Sequence, residues 1–290
     1  VKFVSDMGIK NYQELGHLLF GAKIGKILEL VISFILWIGL VVMMSGSGAI
    51  FSEHWGLNSN WGIGISTIIL WIALFFKGNG VKWLNSLLIP ILVVITSYIA
   101  VGAIIQAEVQ HQTAVNLDYG FIGKNWLLAS FIYVAYNMIL GVVILSSIDC
   151  TERKHSLMGV AIGGLLLGLI GMIKVMALIA FFPEVMQYQI PMLYVAGLQA
   201  NWLKLLFAVA LWSAMVTTAV ANGFGLLKRL EQVKGSGYNK ALILLIISYL
   251  PLAKLQFSNL VAIFYPIFGY LGLLIVGMVF AKIIEYILKK

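Results

Sequence analysis

Eight stretches of this chain are apolar over most or all of a bilayer's width, and polar loops separate them. They are span a, about Ile27–Phe51; b, Trp61–Phe76; c, Leu84–Ala107; d, Trp126–Ser147; e, Leu157–Phe182; f, Trp202–Leu227; g, Ala241–Leu255; and h, Leu260–Leu288. A helix crosses the hydrocarbon core with about 20 predominantly apolar residues. In lipid every backbone polar group must be satisfied by the protein itself, which leaves only helices and closed barrels. Spans of this length predict an all-α fold: a polytopic helical membrane protein with about eight transmembrane helices. Composition leads to the same class, since 61% of the 290 residues are hydrophobic and only 10% are charged. Soluble domains carry about 25% charged residues. The lipid bilayer is therefore the first expected partner.

The net charge of +8 is explained by where the basic residues fall. Lys2, Lys10, Lys23 and Lys26 precede span a. Lys77 and Lys82 lie between b and c, and Arg153 and Lys154 between d and e. Lys228, Arg229, Lys234 and Lys240 follow f, and Lys282, Lys289 and Lys290 close the chain. All of these loops are on one side if the spans alternate. The other side holds Lys124, Lys204 and Lys254. Cytoplasmic loops carry the excess of Lys and Arg, so both termini are expected in the cytoplasm of a multi-pass protein of the cell membrane. The basic balance calls for no nucleic-acid partner.

The sequence offers little to support covalent chemistry. Cys150 is the single cysteine, which excludes an internal disulfide framework. His17, His54, His111 and His155 are scattered without ligand spacing, so no metal site is expected. Ser146, Ser147, Asp149 and His155 read as a solvated loop. The expectation is a protein that is not an enzyme.

Ahead of span a, residues 1–23 are mixed and polar. Asn11 followed by Glu14 resembles a helix start, and Gly21 is placed to close that helix. Leu15, Leu18, Leu19 and Phe20 give it an apolar side, so a cytoplasmic segment with an interfacial helix is expected.

Span d carries Tyr133, Tyr136 and Asn137 near its middle, followed by Gly141. A polar patch at mid-depth must face protein or a wet cavity. One reading is a helix unwound between Tyr136 and Gly141, which binds a small polar solute. The plainer reading is hydrogen bonding between neighbouring helices. Lys174 is the one charge well inside a span; it is either functional or able to snorkel outwards.

Spans a and f align without gaps: Leu28 meets Leu203, Leu30 meets Leu205, Trp37 meets Trp212 and Gly48 meets Gly223. Spans c and h share Pro90-Ile91 and Pro266-Ile267. Span a runs outwards and f inwards, so a–c and f–h form a candidate inverted repeat. Inverted repeats are a signature of secondary transporters.

Lys10–Gly21 (KNYQELGHLLFG), Gly39–Leu57 (GLVVMMSGSGAIFSEHWGL), Gly80–Leu92 (GVKWLNSLLIPIL) and Tyr133–Leu145 (YVAYNMILGVVIL) resemble the YkvI-like bacterial membrane proteins. The span pattern resembles the amino acid–polyamine–organocation superfamily, with its five-plus-five leucine-transporter fold. The resemblance implies one integral membrane domain over residues 1–290. Within it, 1–23 is the cytoplasmic segment, 24–107 the remainder of the first repeat and 126–288 the second. Spans a–h then correspond to helices 3–10 of that fold, and the chain is expected to be a fragment whose helix 1 and most of helix 2 lie upstream.

By the same resemblance, Tyr133, Tyr136, Asn137 and Gly141 line the substrate site. Ala214, Thr217 and Thr218 share one face of span f by their spacing, and the resemblance makes them ligands for a coupling ion. No other cofactor is implied, and the ion is either Na+ or H+. The implied function is secondary transport of a small polar or amino-acid-like solute by alternating access. The alternative is a non-transporting sensor or assembly protein of the same fold, as the spore germinant receptor subunits are. The oligomeric state is left open.

Overall fold

In the computed structural model the described residues are 12–76, 81–107, 125–145, 153–234 and 237–288. Their regular structure is helical, with no strand among them. The helices are α1 (Tyr12–Trp55), α2 (Ser59–Phe75), α3 (Val81–Gln106), α4 (Trp126–Leu145) and α5 (Arg153–Ala180). A 3-10 turn (Glu184–Gln187) precedes α6 (Pro191–Gln199), α7 (Asn201–Lys234), α8 (Tyr238–Ala253) and α9 (Phe257–Leu288). Among the described residues, five segments are long and apolar enough to cross a membrane: Gly21–Trp55, Leu87–Gln106, Ala161–Ala180, Asn201–Leu230 and Phe257–Ala281. Three shorter apolar helices accompany them, at Ser59–Phe75, Trp126–Met138 and Tyr238–Ala253. The protein is thus a helical membrane protein. The loop residues Lys77, His111, Lys124, Ser146, Ser147, Asp149 and Cys150, and Lys2 and Lys10, lie outside the described residues.

The helix ends follow local chemistry. Gly21 interrupts α1 with φ +77°, a conformation that only glycine adopts without strain; it separates Tyr12–Phe20 from the long helix that follows. Gly56, at φ +65°, ends α1, and its N–H donates to the Ser52 carbonyl at 3.1 Å. Asn58 caps α2 by accepting from the Asn60 N–H at 2.9 Å. Asn125 Oδ1 accepts from the Leu128 N–H at 3.2 Å at the start of α4. Pro191 stands at the first turn of α6, where a missing N–H costs nothing.

The packing divides into two compact units. The first comprises residues 1–35, 116–166 and 262–290. Within it α4 crosses α9 at small residues. A β-carbon at Gly272 would lie 2.5 Å from the Ala135 carbonyl oxygen, and one at Gly269 would lie 2.7 Å from that of Ile132. Only hydrogen at both positions lets the backbones approach so closely. Phe34 of α1 meets Phe264 edge-on at 6.4 Å.

The second unit comprises residues 36–115 and 167–261. Its core joins α1, α3, α6 and α7 through Ile50, Ile99, Leu193, Ala196 and Phe207, all buried. Here α1 and α7 run antiparallel. Leu36 approaches Gly225, Gly39 approaches Asn222, Leu40 approaches Gly223, and Gly46 approaches Met215. From Leu36 to Gly46 on α1 the partner position runs back from Gly225 to Met215 on α7. Trp37 Nε1 donates to Ser248 Oγ of α8 at 3.0 Å. Trp212 Nε1 donates to Ser66 Oγ of α2 at 2.8 Å. Trp37 and Trp212 are the pair matched by the gapless alignment, and each reaches a serine on the short helix adjacent to the other. The residues next to those serines also bond to one another, Tyr249 Oη with Thr67 Oγ1 at 3.0 Å.

Candidate functional site

In the first unit the polar patch of α4 is built around aromatic rings. Tyr136 stacks on Tyr265 of α9, with centroids 4.7 Å apart and planes at 28°, and lies 6.4 Å from the Phe268 ring. Pro266 follows Tyr265 inside α9 and removes the N–H that the Ala262 carbonyl would otherwise receive. The group is therefore a stacked tyrosine pair beside an interrupted backbone ladder. Tyr265 was not singled out from the sequence; a tyrosine immediately before a mid-span proline was the available signal.

The expected unwinding of α4 is not found. The helix runs unbroken from Trp126 to Leu145, through both Tyr136 and Gly141. The reason is local: Asn137 Nδ2 donates to the Tyr133 carbonyl at 2.8 Å, one turn back. The amide thus finds a partner inside its own helix and does not need an opened backbone. Tyr133 is 66% exposed, whereas Tyr136 and Asn137 are half-buried. The structure brings Tyr136 and Tyr265 together, with Tyr133 the more exposed neighbour of that pair.

In the second unit the Ala214 carbonyl accepts from Thr217 Oγ1 at 3.1 Å and from Thr218 Oγ1 at 2.7 Å. Both hydroxyl protons are committed to the helix backbone, while the oxygens keep lone pairs to offer. Adjacent residues lie about 100° apart around a helix, and the two threonines differ accordingly. Thr217 is 8% exposed and Thr218 faces outwards. Lys174 is half-buried on α5, whose residues 161–169 are exposed throughout.

A further polar junction in this unit was not anticipated. The Glu53 carboxylate at the end of α1 accepts the Gln189 N–H at 2.6 Å and the Ile190 N–H at 3.2 Å. Lys204 Nζ donates to the Glu53 carbonyl at 3.1 Å. Gln189 Oε1 in turn accepts the Phe257 N–H at 2.8 Å, at the start of α9. The Glu53 carboxylate thereby ties the end of α1 to the segment that leads into α6, and its main-chain carbonyl ties it to the start of α7. Its partners are mostly main-chain groups, which no residue pattern announces.

Together the helices define a polytopic membrane protein with paired aromatic and polar groups within its spans. The chain is homologous to two proteins of Bacillus subtilis (strain 168). It is 28% identical over 279 residues to the uncharacterized membrane protein YkvI, a match that covers 94% of this chain and 78% of YkvI. It is 29% identical over 262 residues to the uncharacterized protein YyaD, covering 89% of this chain and 75% of YyaD. No protein-family model matches the chain, and no solved structure matches it significantly.

Proposed function

We propose that this protein is a secondary transporter of the cell membrane, moving a small polar or amino-acid-like solute by alternating access, with no covalent chemistry of its own. The observation that carries the reading is the antiparallel crossing of α1 and α7 with its reciprocal bonds, Trp37 to Ser248 and Trp212 to Ser66. Two helices of similar sequence, packed in opposite directions and making corresponding contacts, are what an inverted repeat produces. Such repeats allow one half to rock against the other about a fixed site. This reading extends to the leucine-transporter fold and the amino acid–polyamine–organocation superfamily. Tyr133, Tyr136, Asn137 and Gly141 would serve the solute, joined by Tyr265. Ala214, Thr217 and Thr218 would serve a coupling ion, Na+ or H+, and both termini would be cytoplasmic.

The test is uptake by proteoliposomes containing the purified protein. Labelled amino acids are offered with and without an imposed sodium or proton gradient. Gradient-dependent accumulation is the expected result. Solute binding with no uptake under any gradient would overturn transport and favour the sensor reading.

A further inference from the structure

Above the Glu53 junction lies a cleft of about 280 Å3, bounded by the ends of α1 and α7 and by α6. We propose that this cleft binds a compact zwitterion, a primary ammonium and an anionic group carried on an apolar body. Its volume lies near the lower end of ligand pockets, which span roughly 300–1,000 Å3, so the occupant is small. Its lining includes one fixed cation, one fixed anion and two stacked aromatic rings.

The cation is Lys204. One of its donors goes to the Glu53 carbonyl, and an ammonium has three. It lies in the first turn of α7, which begins at Asn201, where the helix dipole also favours an anionic group. The anion is the Glu53 carboxylate. Each oxygen accepts one main-chain N–H, which fixes the group in place and leaves further lone pairs for an ammonium. The aromatic face is Tyr188 stacked on Tyr194, with centroids 4.3 Å apart and planes at 17°. Leu198 extends the apolar lining. Partial burial, with Tyr188 and Glu184 nearby, pushes the Tyr194 phenol up from its ordinary value. A simple organic anion would meet the Glu53 charge and a simple amine would meet Lys204. A zwitterion satisfies both.

The chemistry has two sources, a free amino acid or the headgroup of phosphatidylethanolamine, and the experiment separates them. The inference rests on the transport reading only for what the cell does with the site; binding itself is measured without transport. Purified full-length protein in lipid-free detergent is titrated calorimetrically with L-phenylalanine. The comparison ligands are 2-phenylethylamine, which lacks the carboxylate, and 3-phenylpropanoate, which lacks the ammonium. In parallel, melting is followed in nanodiscs of phosphatidylethanolamine and of phosphatidylcholine, whose quaternary ammonium cannot donate to Glu53.

A free-solute site gives saturable L-phenylalanine binding below about 1 mM, at least tenfold tighter than either truncated analogue. Lys204→Gln should then weaken the two carboxylates about tenfold and leave the amine unchanged. A headgroup site instead gives a higher melting temperature in phosphatidylethanolamine than in phosphatidylcholine, a difference that Glu53→Gln abolishes. Tyr188→Ala, at an exposed ring, should weaken whichever ligand binds and serves if Lys204→Gln does not fold. Absence of both signals in monodisperse protein, or ligand affinities unmoved by these variants, would overturn the proposal. Uptake with no binding here would leave transport standing, and binding here with no uptake would leave this site standing.

Discussion

The two adjacent threonines of α7 show how one residue's place on a helix divides roles that spacing alone would join. Thr217 and Thr218 both donate to the Ala214 carbonyl. For a cation they would offer oxygen lone pairs, and only an oxygen turned towards protein can do so in a dehydrated setting. Thr217 is buried and Thr218 is not. Thr217→Val should therefore weaken sodium dependence of uptake by roughly 1–3 kcal/mol, and Thr218→Val should weaken it less. Sodium titrations of uptake in the two variants make the comparison. Unchanged sodium dependence in both variants would return both hydroxyls to a packing role. The same scale explains the intact α4. The spacing of Asn137 and Tyr133 lets the amide reach its own backbone one turn back, a route that serine and threonine hydroxyls also take at Ser47, Thr96 and Ser213. A mid-span polar residue therefore does not by itself signal a broken helix.

At the scale of elements, contacts between helices depend on glycines whose neighbours differ sharply. A β-carbon at Gly272 would meet the Ala135 backbone at 2.5 Å, whereas one at Gly64 of α2 meets nothing within 4 Å. Gly272→Ala should destabilise by about 1–3 kcal/mol, the usual cost of overpacking. Gly64→Ala should be neutral or stabilising by up to about 1 kcal/mol through helix propensity. Thermal melts in one detergent would show the contrast, and a Gly272→Ala melt matching wild type would contradict the close crossing of α4 and α9. The tryptophan pair makes a second test. Trp37→Phe and Trp212→Phe each remove one indole donor and should each cost about 0.5–1.5 kcal/mol. Near-equal losses are expected because the two bonds occupy corresponding places.

Much at this scale was readable in advance. Gly21 marks the end of the first helical piece because its φ of +77° excludes most other residues. The spans are legible because lipid enforces apolar runs. The helices extend beyond those runs, as α7 does to Lys234, since Lys, Arg and Glu are good helix formers that hydropathy scores as loop. Between spans e and f the sequence is too short and too mixed to read as a span, yet it holds a core helix: α6 is short, and Leu193, Val195 and Ala196 are fully buried. The Glu53 junction was not legible, because a carboxylate bound to main-chain N–H groups leaves no trace in its partners' side chains.

For the whole molecule the sharpest prediction concerns sidedness, and it has two separable parts. Within the second unit, geometry alone fixes which loops share a side. The end of α1 is tied to the start of α7 by Lys204 and Glu53, and to Gln189 by the Glu53 carboxylate. Asn58, three residues beyond α1, therefore lies at the same end as Gln189. The other end is marked by Tyr238, whose hydroxyl donates to the Leu74 carbonyl at 2.6 Å, joining the start of α8 to the end of α2. Asn239 must then lie opposite Asn58 and Gln189, whichever way the protein is inserted. The charges choose the direction. Lys228, Arg229 and Lys240 cluster at the Asn239 end, and the basic end belongs in the cytoplasm. In a Cys150→Ser background, single cysteines at Asn58 and Gln189 should react with an impermeant maleimide in intact cells. A cysteine at Asn239 should react only after the membrane is opened. Labelling of Asn239 with protection of the other two would reverse the orientation but keep the packing. Opposite behaviour of Asn58 and Gln189 would break the junction itself, since no single span can place one carboxylate and its two partners on different sides of a membrane.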